Sequence, residues 1–377
     1  MPASTVAEAD VRQPTVYAPR MAIELTDEID GLSLSDEEKR RIRMTVGCLD
    51  TRDIPKVPDA GEVHDGPDGR YQVMHNGVKI VEHCYGGPWT TELIRRLRGH
   101  HEPQEELVFH EVMKHVAPAS AMVELGCFWS YYSLWFNQCV PDARLLLLEP
   151  VPDHLEAGRR NFALNDVEGT FVLGLVGERS DERTRMVGAD KVVSHVPTFS
   201  VDDLAAANGV DRIELLLVDV QGAELDALHG ARALIARGAL RFVFVSTHHH
   251  LMSNDPLMHQ RCVRFLKGHG AHIIAQHNVI ESFSGDGLIV ASFDPADRAI
   301  ASVQLSRNWP TNSMWPELEY DLDEAWHALG LNIATRRRLR NSLVGTVNRV
   351  PAVLPAIHRA VHRWDRLPLK RPARRRQ

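Results

Sequence analysis

Between about residues 102 and 293, five short apolar runs (AMVEL, RLLLLE, TFVLGLV, IELLLVD and LRFVFVS) recur with helix-patterned stretches between them. No other feature limits the fold so strongly. The runs are continuously apolar instead of alternating, which suits strands covered on both faces. Strands separated in this way by helices satisfy that requirement as a parallel sheet with helices on either side. Helical stretches start at Tyr131, at Pro152, near Val201 and at Gly222, and another opens at Pro103 with Val108, Val112, Val116 and Met113 on one face. After a helix near Pro256 to Gly268, AHIIAQ and GLIVAS follow each other across a loop too short for a parallel crossover, so an antiparallel closing pair is expected. The whole reads as an α/β domain over residues 101–294, doubly wound around a mostly parallel seven-stranded sheet.

The flanks read differently. Residues 1–20 lack periodicity and are expected to be disordered. Residues 21–100 are expected to form an α+β cap, with Ser35 as the N-cap of a helix and Asn76-Gly77 as a hairpin turn. Residues 295–377 are expected to be a basic extension of short helices, interrupted at Pro351 and Pro355. The net charge of -7 conceals 13 Lys and Arg against a single acid between Thr335 and Gln377. Such a tail is suited to peripheral contact with a membrane surface, whereas the acidic remainder would repel phosphates, so no specific nucleic-acid partner is expected. No apolar run approaches the roughly 20 residues of a membrane span, and the N-terminus shows no signal pattern. A cytoplasmic protein is the expectation. Five scattered cysteines without a C-x-x-C pair imply neither a disulfide framework nor a structural zinc site.

In a doubly wound sheet, ligands bind beyond the carboxyl ends of the strands. Those ends carry Glu124-Leu125-Gly126, Glu149-Pro150, the glycines 174 and 177, Asp219-Val220-Gln221 and Ser246-Thr247-His248. Glu149 closes a run of four leucines and is placed to accept hydrogen bonds from both hydroxyls of a ribose. Gly126 leaves room for close approach of a ligand to the backbone. Neither G-x-G-x-x-G nor a G-x-x-x-x-G-K-[ST] loop is present, so the site is not built for a pyrophosphate or a triphosphate.

The succession VELGCFWSYYS, LLLLEPVPDHLEAGRRNFALN, VPTFSVDDL, IELLLVDVQGAELDALHGARALI and STHHH resembles the FkbM-type family of S-adenosylmethionine-dependent methyltransferases over about residues 101–293. The most specific part is LLLVDVQGAELDALHGA. The resemblance implies a class I, Rossmann-like fold with S-adenosylmethionine as cofactor. It also implies that Glu124, Gly126, Cys127 and Ser130 hold the methionine part, that Glu149 and Pro150 hold the ribose side, and that Asp219 lies at the methyl-transfer site. Family members mostly methylate hydroxyl oxygens of sugars, glycolipids or polyketide-like molecules. Three positions depart from the family pattern: Ser130 replaces a second glycine, Gln221 a glutamate, and Ser246 a further glutamate.

Methyl transfer from a sulfonium needs an aligned acceptor oxygen and a group to take its proton. His248 and Asp219 are the catalytic candidates, His248 as base and Asp219 orienting it. Asp219, Glu224 and His248 would also suit a divalent metal, which is possible but not predicted, since no ligand spacing here is diagnostic. RGHHEPQEE, from Arg98 to Glu106, reads either as a lid on the cofactor or as a helix start with acids at its favourable end. Phe128, Trp129, Tyr131 and Tyr132 read either as an acceptor wall or as core. The leading expectation is O-methylation of a sugar, glycolipid or polyketide-like acceptor. A catalytically degraded binding or scaffold protein is the second reading.

Overall fold

A computed structural model describes residues 28–187, 193–308 and 312–315. The expectations for residues 1–20 and for most of the C-terminal extension, including its helices and its basic charge, lie outside the described residues.

The chain opens with α1 (Asp36–Val46), where Ser35 and Glu38 form a reciprocal capping box. A small antiparallel sheet follows, made of β1 (Val63–Gly66), β2 (Gly69–Val73) and β3 (Lys79–Val81), and then α2 (Pro88–Arg96) and α3 (Pro103–Met113). The main domain continues through β4 (Ala121–Leu125), α4 (Tyr131–Cys139), β5 (Arg144–Glu149), α5 (Pro152–Leu164) and β6 (Thr170–Leu173). TFVLGLV does not make one strand. The chain breaks at Gly174, and β7 (Leu175–Val176) joins β8 (Asp181–Val187) and β9 (Val193–Phe199) in a separate three-stranded sheet. A Cβ at Gly174 would lie 2.8 Å from the Phe199 ring, so this crossing accepts only glycine without a shift. Then come α6 (Val201–Ala207), β10 (Ile213–Val218), α7 (Glu224–Gly230), α8 (Arg232–Ala236), β11 (Leu240–Thr247), α9 (His250–Ser253), α10 (Met258–Gly268), β12 (His272–His277) and β13 (Gly287–Ser292).

The large sheet runs β12-β13-β11-β10-β4-β5-β6, parallel except for β13, which is antiparallel to both neighbours. The strand order reverses beside β4, between β5 and β10, which is where a doubly wound sheet opens its ligand crevice. Alternate residues of each apolar strand enter two different cores. Leu145, Leu147, Leu215, Leu217, Phe242 and Phe244 face α3 and α4, whereas Leu146, Leu148, Leu216, Val218, Val243 and Val245 face α6, α7 and α10. Each such side chain stabilises the fold by about 1.5–3 kcal/mol when fully buried. Burial on both faces is why these strands read as continuous apolar runs.

The cap is joined to the first of these cores through Met74, Val78, Ile80 and Ile94. Asn161 of α5 and Asn165 at its C-terminal cap accept from the backbone N–H groups of Val81 and Lys79, both at 2.8 Å. That attachment carries Tyr85 and Trp89 over the carboxyl edge of the sheet.

Candidate active site

At that edge lies a cavity of about 540 Å³, a size that suits a cofactor-sized ligand. Its walls come from the ends of β4, β5, β10 and β11, from the cap, and from the start of α3.

Glu149 lines this cavity and is 4% exposed. Its Oε1 accepts from the Val151 N–H at 3.0 Å and its Oε2 from the Phe128 N–H at 3.3 Å. The carboxylate is therefore held in one orientation at the strand end, as a ribose ligand requires. His154 stacks on Phe128 with centroids 3.8 Å apart and adds an Nδ1 contact to Glu149 at 3.5 Å. Pro150 and Cys127 also line the cavity. Burial raises the Cys127 thiol well above its ordinary pKa, so it stays protonated and is no nucleophile. Glu124 accepts from the Ser133 N–H at 3.2 Å and from the Ser133 hydroxyl, and burial pushes its carboxyl up to about 8.

Two expectations need revision. Gly126 has φ of 77°, and a Cβ built there would sit 1.8 Å from the Asp219 carbonyl oxygen. The glycine lines the cavity, yet what excludes a side chain is the neighbouring strand end, not an approaching ligand. Ser130 is fully buried, adopts a left-handed conformation with φ of 60°, and turns its Oγ against Gly158 of α5 rather than into the cavity. It supports the wall that Phe128 and Trp129 form.

Asp219 and His248 do meet, with His248 Nε2 3.2 Å from Asp219 Oδ1. On its other side, Nδ1 lies 2.5 Å from Glu224 Oε1, and Asp286 Oδ1 is 3.7 Å from Nε2. Burial opposes charging of this ring, but the carboxylates of Asp286, Asp219 and Glu224 outweigh it and hold the pKa well above that of an ordinary histidine. That shift favours the charged ring, whereas the general-base role expected for His248 requires the neutral one. Asp219, with a side chain 44% exposed, is the member of the pair open to an acceptor.

The residues from His100 to Glu106 prove to be part of the wall. Glu106 is completely buried and bonds both rings, the Nδ1 of His101 at 2.6 Å and that of His100. Burial raises its pKa but the two rings lower it further, so the net shift is downward. His101, Glu102 and Glu105 face the cavity. Burial, with the Asp219 charge adding to it, pushes Glu105 up to about 8, and Glu102 rises well above the carboxylate range for the same first reason. Glu105 Oε2 accepts from the Ser246 hydroxyl at 2.8 Å. The acid absent at position 246 is in effect supplied from α3. Of the aromatics, Phe128, Trp129 and Tyr132 line the cavity, while Tyr131 is core, donating or accepting with His75 Nδ1 at 2.9 Å.

Sequence reading passed over Asp286, Tyr85 and Trp89. Asp286 was within reach of the strand argument: β13 is antiparallel, so its first residue, Gly287, pairs with Thr247 at the carboxyl end of β11. The acid just before it therefore arrives at the same edge as the parallel strand ends. Tyr85 and Trp89 carried no such signal, because the cap reaches the site only through packing. Among the described residues no group of three or more His, Cys, Asp and Glu side chains is arranged to hold a metal ion.

Strand order and the crevice at its switch point define a doubly wound, Rossmann-like α/β domain with a ligand-sized cavity at the carboxyl edge of its sheet. Residues 111–273 match the family model described as Methyltransferase FkbM domain. No curated protein matches the chain. Solved structures similar to it include a precorrin-6y C5,15-methyltransferase from Geobacter metallireducens, with 14% identity over 50% of this chain and 86% of that one and a TM-score of 0.32. An O-methyltransferase from Bacillus cereus in complex with SAH is similar at 16% identity over 50% and 78%, with a TM-score of 0.31. Fibrillarin from Aeropyrum pernix, with natively bound S-adenosyl-L-methionine, is similar at 13% identity over 49% and 74%, with a TM-score of 0.32.

The walls fit such a cofactor on their own chemistry. It brings a sulfonium, an ammonium and a ribose, and the cavity offers buried carboxyl groups at Glu124 and Glu149 as hydrogen-bond acceptors for them.

Proposed function

We propose that this domain methylates a hydroxyl oxygen of a polyhydroxylated acceptor, a sugar, glycolipid or polyketide-like molecule. The observation that carries the reading is a single cavity in which the cofactor wall, Glu124 to Phe128 with Glu149, faces a second wall of rings and carboxylates formed by Tyr85, Trp129, Glu102 and Asp286. When bound, the cofactor supplies an electrophilic methyl group. The protein's own residues do the rest. Glu149 and Glu124 fix the donor end. Tyr85 and Trp129, stacked on each other at 4.5 Å, form the aromatic part of the wall that an acceptor meets. Asp219 accepts the acceptor's hydroxyl hydrogen as the oxygen attacks, and His248, anchored by Glu224, holds Asp219 in place. Alignment of this kind accounts for several kcal/mol of barrier lowering.

The reading as a degraded scaffold loses part of its ground, because Glu105 bonds Ser246 and so supplies a carboxylate on that side. The test is in two parts. Glu149→Ala should weaken S-adenosylhomocysteine binding by about tenfold or more, roughly 1.4 kcal/mol, in a calorimetric titration. Asp219→Asn should retain that binding while abolishing transfer of a labelled methyl group to glycan, lipid and metabolite fractions. Unchanged binding in the first variant, or unchanged transfer in the second, would refute the assignment.

A further inference from the structure

The charge balance of the cavity leaves a surplus that the cofactor does not absorb. Glu102, Glu105, Asp219 and Asp286 all line its acceptor side. Two histidine rings are shared between these acids and buried ones behind them: His101 lies 3.5 Å from Glu102 and 2.6 Å from Glu106, and His248 lies 3.2 Å from Asp219, 3.7 Å from Asp286 and 2.5 Å from Glu224, so carboxylates outnumber the rings. His154 is engaged with Glu149. Arg41 is the guanidinium on the wall, and it lies over the Trp89 ring at 4.5 Å. A cofactor with a sulfonium, an ammonium and a carboxylate adds one net positive charge, fewer than the acids it meets. Carboxylates gathered this closely around fewer cations take up protons, as Glu102 and Glu105 do, or are matched by a positively charged ligand that displaces those protons.

A second observation points to a ligand in the same place. Tyr132 is 6% exposed and lines the cavity beside Glu105 and Glu102, and its hydroxyl has no hydrogen-bond partner among the described residues. A buried hydroxyl left unsatisfied costs about 1–3 kcal/mol, a cost that a bound polar group removes. The faces of Tyr85 and Trp129 complete the arrangement, since an aromatic face beside carboxylates attracts a cation as well as a sugar ring.

From this placement we infer that the acceptor carries a positive charge: it is a polyhydroxylated molecule bearing an ammonium group, of the amino-sugar class, with the ammonium received between Glu102 and Asp286. The inference rests on the methyltransferase reading only for the location of the acceptor side. Its test is binding rather than turnover.

The protein is first titrated with S-adenosylhomocysteine, and the resulting complex is then titrated with two probes that differ in one group, a β-1,4-linked glucosamine trimer and its fully N-acetylated counterpart. The amine trimer should bind at least about tenfold more tightly at neutral pH, with an advantage that shrinks as salt is raised. Glu102→Gln and Asp286→Asn should each reduce that advantage while leaving the affinity for S-adenosylhomocysteine within about twofold. Equal or tighter binding of the acetylated trimer, or no binding of either, overturns the inference. Absence of heat with S-adenosylhomocysteine is a separate failure, that of the cofactor reading, and the two trimers are then compared on the protein alone.

Discussion

Gly126 shows how a single position serves two ends. Its φ of 77° and the 1.8 Å that would separate an added Cβ from the Asp219 carbonyl oxygen make it the joint where β4 and β10 come together at their carboxyl ends. Gly126→Ala should destabilise the domain by roughly 3 kcal/mol or more, because strain and clash act together. A urea midpoint equal to that of the parent would disprove this account. Beside it, Glu224→Gln removes one carboxylate from the His248 ring and leaves the ring's burial intact. The His248 pKa should fall, read from its imidazole resonances, and an unchanged titration would show that Asp219 and Asp286 alone set it.

Helix α3 was legible as an element, with Pro103 opening it and a valine stripe along one face. Its first turn was not. Glu105 and Glu106 match the ordinary pattern of acids at a helix N-terminus, which normally places them in water; here both are buried, one in the cavity wall and one between two histidines. Glu106→Gln should cost about 3–5 kcal/mol, since it leaves two buried rings without their shared counter-charge. The pH dependence follows from the shifts. The Glu106 pKa is lowered on folding, so its contribution is complete above the ordinary glutamate pKa of about 4.3 and is lost as pH falls towards the folded value. The His101 pKa is raised, so its contribution is complete below about 6.5 and is lost as pH rises through the folded value. Chemical denaturation of parent and variant across this range should therefore show the largest difference between the two limits; a difference independent of pH would rule out the ion pair as its source.

For the molecule as a whole, the acidic cavity governs stability above neutral pH. Glu105 and Glu124 have pKa values near 8 when folded, far above the unfolded value of about 4.3. Between those limits the folded state binds more protons than the unfolded one, so stability decreases as pH rises. His248 and His101, also raised, act in the same direction above about 6.5, whereas His75 and His277, lowered by burial to about 3 and about 4, are neutral when folded and half protonated near pH 6.5 when unfolded, so they oppose the decline at its start and cease to as pH approaches 8. The ligand-free protein should thus lose stability between pH 6.5 and 8, and Glu105→Gln should flatten the decline by up to about 1.4 kcal/mol per pH unit. A denaturation midpoint that rises over this interval would contradict the proton balance.

What was readable in the amino-acid order alone was the parallel sheet, its antiparallel close and the strand-end residues Glu124, Glu149, Asp219 and His248. Those follow from local periodicity, which each strand and helix carries within itself. Three things came only from the tertiary structure: the departure of Leu175 into a second sheet, the entry of Tyr85 and Trp89 from the cap, and the bond between Glu105 and Ser246 in the cavity wall. The physical reason is that charge state and burial depend on neighbours distant in the chain. A carboxylate's pattern in sequence is the same whether water or a ring of other carboxylates surrounds it.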